Sequence, residues 1–162
     1  MRVHDSALYP GPPDAVVAVL TDPTFVAERA RASGALEQSC DVTDVDGTTV
    51  VTSRLVVGTD QLPDVARRVV GSSTIVRSTE SWRPASAAGG RTGTLALEVQ
   101  GAPARLEADL TLTPVPEGSR YDLDGTLTVR VPLFGAAVER AVEPLLMNLL
   151  RSHADLLRRR LV

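Results

Sequence analysis

The sequence contains no lysine; all 17 of its basic residues are arginine. It also has one cysteine (Cys40), two histidines (His4 and His153) and five aromatics (Tyr9, Phe25, Trp82, Tyr121 and Phe134). Each shortage removes chemistry. Without lysine there is neither a Schiff-base amine nor the lysine of a phosphate-binding loop. No His or Cys pair stands at ligand spacing, so no zinc site is readable and no metal or other cofactor is expected. A single thiol closes no disulfide within the chain. No run approaches the ~18 uninterrupted apolar residues of a membrane-spanning helix. Residues 1–10 carry Arg2, His4 and Asp5 and lack the apolar core of a secretory signal. The expectation is a reduced, cytoplasmic setting.

What is present is 162 residues, 43% hydrophobic, with 20 acidic groups against 17 basic for a net charge of −3. That length suits a single domain, 1–162, with one sizeable core. An acidic whole has no long-range field for nucleic acid, and so few aromatics offer no stacking platform for single-stranded bases. Nucleic acid is therefore not expected as a partner. The arginines fall on turns, strand edges and the polar side of the last helical segment, where they read as solubilising charge.

Residues 2–9 alternate loosely as a first strand, ended by Pro10-Gly11-Pro12-Pro13. Asp14 opens a short helix with Val16, Val17 and Leu20 on its apolar face; Asp22-Pro23 breaks it, and a second runs from Thr24 to Ala32. From Ala35 the period becomes two. Asp46-Gly47 marks a hairpin turn, and Thr48 to Val57 returns antiparallel. Pro63 to Val70 reads as a short amphipathic helix stopped by Gly71. Ser73–Arg83, then segments around Leu95-Leu97-Val99, Leu106-Ala108-Leu110-Leu112 and Tyr121-Leu123-Gly125-Leu127, complete the strands, with one wet face and one dry. Finally Phe134, Val138, Val142, Leu145, Leu149 and His153 lead a stripe of helical spacing running to the C-terminus, with Pro144 inside it. About 26 residues at ~1.5 Å rise make a rod of ~40 Å.

A one-sided sheet must bury its dry face, and only the last helix is long enough to cover it. The Pro12-Pro13-Asp14 start, the Thr21-Asp22-Pro23 break and Val131-Pro132-Leu133-Phe134-Gly135 with Glu139 resemble the helix-grip domains of the START, polyketide-cyclase and birch-pollen-allergen superfamily. Leu62-Pro63, Arg67-Arg68, Gly71 and Glu80-Ser81-Trp82 are most similar to an actinobacterial family of uncharacterised domains within it. The resemblance covers essentially the whole chain. It implies an α+β fold in which a seven-stranded curved antiparallel sheet wraps around a long C-terminal helix, with two short helices after strand 1. It also implies a lipid, sterol, polyketide or other apolar ligand, and no defined activity or catalytic residue.

On that basis the expected ligand liners are Val76, Trp82, Leu97, Leu110, Leu123, Leu127, Phe134, Val138, Val142 and His153, with Glu80 as polar anchor. Glu80 shares a strand face with Val76 and Trp82, so it either points into the cavity or sits at its rim against an arginine. His153 is either a ligand contact or a core histidine satisfied by a local carbonyl. His4, on a strand with Ser6, could also face inward. Cys40, Ser53 and Ser78 have no base or nucleophile elbow beside them and read as structural. Asp41, Asp44 and Asp46 lack the later glutamate of a calcium loop and read as a solvated hairpin. Arg158-Arg159-Arg160 complements a helix C-terminus, the sharper alternative being a membrane-surface or RNA contact. The expected function is binding of a small apolar ligand by a monomer or weak homodimer. The alternative is a cofactor-free cyclase, dehydratase or isomerase using Glu80 and a histidine.

Overall fold

The computed structural model describes residues 1–101 and 103–162. Strand β1 (Arg2–Tyr9) is followed by helices α1 (Pro13–Leu20) and α2 (Pro23–Ala32). Strands β2 (Ala35–Val45) and β3 (Thr48–Gly58) lead into helix α3 (Asp64–Val70). Strands β4 (Ser73–Trp82), β5 (Arg91–Val99), β6 (Ala104–Val115) and β7 (Gly118–Val129) then precede helix α4 (Gly135–Leu161). All seven strands form one antiparallel sheet in the order β1-β7-β6-β5-β4-β3-β2. The meander from β2 to β7 is thus completed by β1, which pairs on the outer side of β7.

Local chemistry sets the element ends. Asp46 and Gly47 both take positive φ, 53° and 84°, as the tight turn joining two twisted strands requires. Asp22-Pro23 does more than break a helix. The Asp22 carboxylate accepts the Thr24 N–H at 2.9 Å and Pro23 occupies the first turn of α2, so the dipeptide starts the second helix as it ends the first.

Alternation along the strands sends Val3, Ala7 and Tyr9 of β1, Leu106, Leu110 and Leu112 of β6, and Leu123 and Leu127 of β7 to the covered face. His4 and Ser6 lie on the other face, exposed, paired with Asp124 and Asp122, so the inward alternative for His4 does not hold. Helix α4 spans 27 residues, and its burial is uneven. Val138 near its start and Ala154, Leu156 and Leu157 near its end are buried, whereas Leu145, Leu146, Leu149 and Leu150 between them are only half-buried. Two packed clusters account for this. The larger joins α1, α2 and the end of α4 to the sheet, and the smaller joins Ala66 of α3, Val129 of β7 and Val138 of α4. Among the described residues no helix is long and apolar enough to cross a membrane.

Candidate functional site

Between those clusters, under the middle of α4, lies a cavity of about 420 Å³, within the range of small-molecule sites. Its two ends differ. On β4 the inward series runs Val76, Ser78, Glu80, with Leu55, Ser53 and Val51 opposite on β3. Two residues advance a strand by ~6.6 Å, so the wall passes from aliphatic to charged over roughly 13 Å. The end toward α3 is lined by Leu55, Val57, Leu62, Val76, Leu97 and Leu145. The other end gathers Asp5, Tyr9, Arg29, Glu80, Tyr121 and His153.

Glu80 is 6% exposed, and both its oxygens are engaged. Oε1 accepts the indole N–H of Trp82 at 2.7 Å, and Oε2 accepts from the Arg29 guanidinium of α2 at 3.3 Å. The two alternatives for this residue are therefore merged: it faces inward and it is paired with an arginine. Gly93 makes the arrangement possible. It lies opposite Trp82 on β5, and a Cβ there would collide with the Ser81 carbonyl oxygen and stand 3.0 Å from the indole ring. Arg29, lying 5.8 Å from the centroid of the Phe25 ring, is not solubilising charge, contrary to the general reading of the arginines.

His153 and Ser33 meet at 2.8 Å. The Ser33 hydroxyl proton is committed to the Arg29 carbonyl oxygen, also at 2.8 Å. A hydroxyl has one proton, so Nε2 of His153 must be the donor to Ser33, which leaves Nδ1 an unprotonated acceptor. Burial, with a smaller contribution from the Arg29 charge, pushes the His153 pKa down to about 3, so the ring is neutral near pH 7. Burial likewise raises the Tyr9 phenol to about 12 and lifts Tyr121 well above its ordinary value. Both remain hydroxyl donors. Their rings stack edge to face at 6.0 Å, and Tyr121 continues to Trp82 at 6.5 Å.

Of the residues expected to line a site, Val76, Glu80, Leu97, Leu123 and His153 stand on the cavity wall. Trp82, Leu110 and Leu127 face the covered side but lie in the larger packed cluster, away from the void. Val138 belongs to the smaller cluster and Val142 packs against both, and neither stands on the wall. Phe134 is 54% exposed just ahead of α4 and is not on the wall, because the helix begins only at Gly135. Polar and aromatic wall residues that were not among the expected liners include Arg29, Ser33, Asp5, Tyr9 and Tyr121, the last although it shares the alternation of Leu123 and Leu127. Asp5 and Tyr9 had a usable signal, since they share the inward register of β1 with Val3 and Ala7. Arg29 had none. The basic run at the end of α4 is tied down in part: Arg158 lies 5.4 Å from the centroid of the Tyr9 ring, and Arg160 pairs with Glu28 and Asp22. Among the described residues no group of three or more His, Cys, Asp or Glu side chains is placed to hold a metal ion.

Sheet order, paired short helices after β1 and a long C-terminal helix over the concave face define a helix-grip fold. Solved structures share it across the full chain. The Zhui aromatase/cyclase of Streptomyces sp. R1128 superposes with a TM-score of 0.64 at 15% identity, covering 100% of this chain and 96% of that one. A STAR-related lipid transfer protein of Xanthomonas axonopodis gives 0.62 at 15% identity, covering 97% and 85%. At such identities the likeness is one of fold. Residues 5–161 match the family model described as "Protein of unknown function (DUF2505)", and the chain belongs to that family. The uncharacterized protein Rv0481c of Mycobacterium tuberculosis is 33% identical over 99 residues, 60% of this chain and 56% of that protein. The match thus spans little more than half of that relative's length.

Proposed function

We propose that the protein binds a small, largely apolar ligand, of lipid, sterol or polyketide-like character, in the cavity between the sheet and α4. The observation that carries this reading is the half-buried middle of α4, where Leu145, Leu146, Leu149 and Leu150 line a cavity of about 420 Å³. Leaving apolar surface unpacked forfeits dispersion contacts and stabilises nothing by itself. A ligand that fills the space recovers them. The names of the two structural neighbours, an aromatase/cyclase and a lipid transfer protein, are in keeping with a fold used around apolar molecules. We expect binding to occur in the cytoplasm, to a monomer or weak homodimer.

The acid–base alternative has less support. A histidine whose pKa is pushed down to about 3 is a weak base near neutrality, and Glu80 already spends both oxygens on Trp82 and Arg29. The test is a thermal-shift and tryptophan-emission screen of sterols, acyl chains and polyketide-like aromatics. A ligand at a hundred times its Kd adds about 2.7 kcal/mol, a readily measured rise in Tm. A screen in which no such compound moves either Tm or the Trp82 emission would remove the proposal.

A further inference from the structure

The cavity wall carries two carboxyl groups, and they are treated differently. Glu80 is engaged at both oxygens. Asp5 has no hydrogen-bond or ion-pair partner among the described residues, although β1 sends it to the same face as Val3, Ala7 and Tyr9. Its cross-strand neighbour is Leu123, and Tyr121 lies one step along β7 on the same face. An apolar side chain would pack there at no electrostatic cost, so an aspartate in this register contradicts the pattern around it.

Charge bookkeeping at this end is simple. Arg29 and Glu80 offset each other, and His153 is neutral. Arg158, the cation beside Tyr9, is held by Asp155 and by the Leu8 carbonyl oxygen. Asp5 therefore leaves one uncompensated negative charge on the wall, and both tyrosine hydroxyls feel it. An anionic head group brought here would meet like-charge repulsion from Asp5. A donor group would satisfy an acceptor that the protein leaves open.

Resting on the binding reading above, we infer that the ligand enters polar end first and meets Asp5 with a hydrogen-bond donor, a hydroxyl or an ammonium group on an apolar body. Amphiphiles headed by a carboxylate or phosphate are rejected. The aliphatic end toward α3 takes the tail.

The test is a calorimetric titration of the full chain at pH 7.5 with 1-decanol, decylammonium and decanoate, each below its micellar concentration. The tail is constant, so the ranking reads the head group alone. Decanol or decylammonium should bind at least tenfold more tightly than decanoate, and which of them leads identifies the donor. Asp5→Asn, nearly isosteric, should shrink the gap to less than threefold with Tm held within a few degrees. Decanoate binding as tightly as the other two, or a tenfold gap that persists in Asp5→Asn, overturns the inference and leaves the binding reading standing. Failure of all three to bind also overturns the inference, while the binding reading answers to the wider screen of sterols and polyketide-like aromatics. The ranking on the unmodified chain decides the matter even should the variant fold poorly.

Discussion

Glu80 accepts the indole N–H of Trp82 at 2.7 Å from two residues earlier on the same strand, so one face of β4 carries both halves of a buried hydrogen bond. The geometry depends on the bare backbone of Gly93 opposite. Gly93→Ala should cost about 2 kcal/mol or more, because the new methyl meets backbone that cannot yield. The displaced indole should also emit at longer wavelength. Urea unfolding followed by fluorescence reads both, and an unchanged midpoint with unchanged emission would contradict this account.

Arg29 and Glu80 come from elements 51 residues apart and meet with side chains 20% and 7% exposed. Removing one partner strands the other. Arg29→Met should destabilise by about 3 kcal/mol, whereas Arg29→Met combined with Glu80→Gln should recover a good part of that loss. A double variant no more stable than the single one would show that the charge pairing is not what matters at this contact.

The depressed His153 pKa gives the protein an acid-sensitive element with a defined sign. The unfolded ring protonates near 6.5 and the folded one only near 3. Between those values the unfolded state holds the extra proton, so the contribution is fully present above about pH 6.5 and is lost as pH falls toward 3. The slope is about 1.4 kcal/mol per pH unit. His153→Gln removes it. The difference in stability between the two proteins, measured from pH 7 down to pH 4, should therefore move steadily in favour of the variant. A difference that stays flat with pH would mean that the ring is not desolvated.

Leu97, on the aliphatic wall, offers a way to occupy the void from within. Leu97→Phe should cost no more than about 1 kcal/mol, because its added ring enters open space in place of a packed core. The same change should abolish any ligand-dependent rise in Tm. Retained ligand response would place the bound molecule elsewhere.

Leu133 adopts φ +69° with 98% of its surface exposed, so it bears left-handed strain and packs on nothing. Leu133→Gly relieves strain of about 1–2 kcal/mol and forfeits about 0.4–1 kcal/mol through a looser unfolded chain. The variant should be equally stable or up to about 1.6 kcal/mol more stable, which thermal unfolding will read. A loss comparable to that of a buried leucine would reveal a contact for this side chain in solution.

The arrangement of elements was legible because it is written in local periodicity. The period-two alternation of β5, β6 and β7, the Asp46-Gly47 turn and the stripe along α4 each depend on residues a few positions apart. Inward orientation was equally legible: Val76, Glu80 and Trp82 do share one face of β4. The same signal cannot tell a residue facing packed atoms from one facing empty space. Trp82 and Glu80 sit two residues apart, yet only Glu80 reaches the void, because Gly93 lets the indole lie flat against β5.

By itself, then, the sequence determined which elements form, in what order, and which side of each strand turns away from water, since those follow from side-chain spacing along one chain. It also removed lysine and disulfide chemistry outright. Only the tertiary structure decided where the interior stays hollow and which charges meet there. Arg29 reaches Glu80, and Ser33 reaches His153 across 120 positions, because α2 and α4 pack over the same end of the sheet. Contacts of that separation depend on how whole elements dock, and no local pattern of residues encodes the docking.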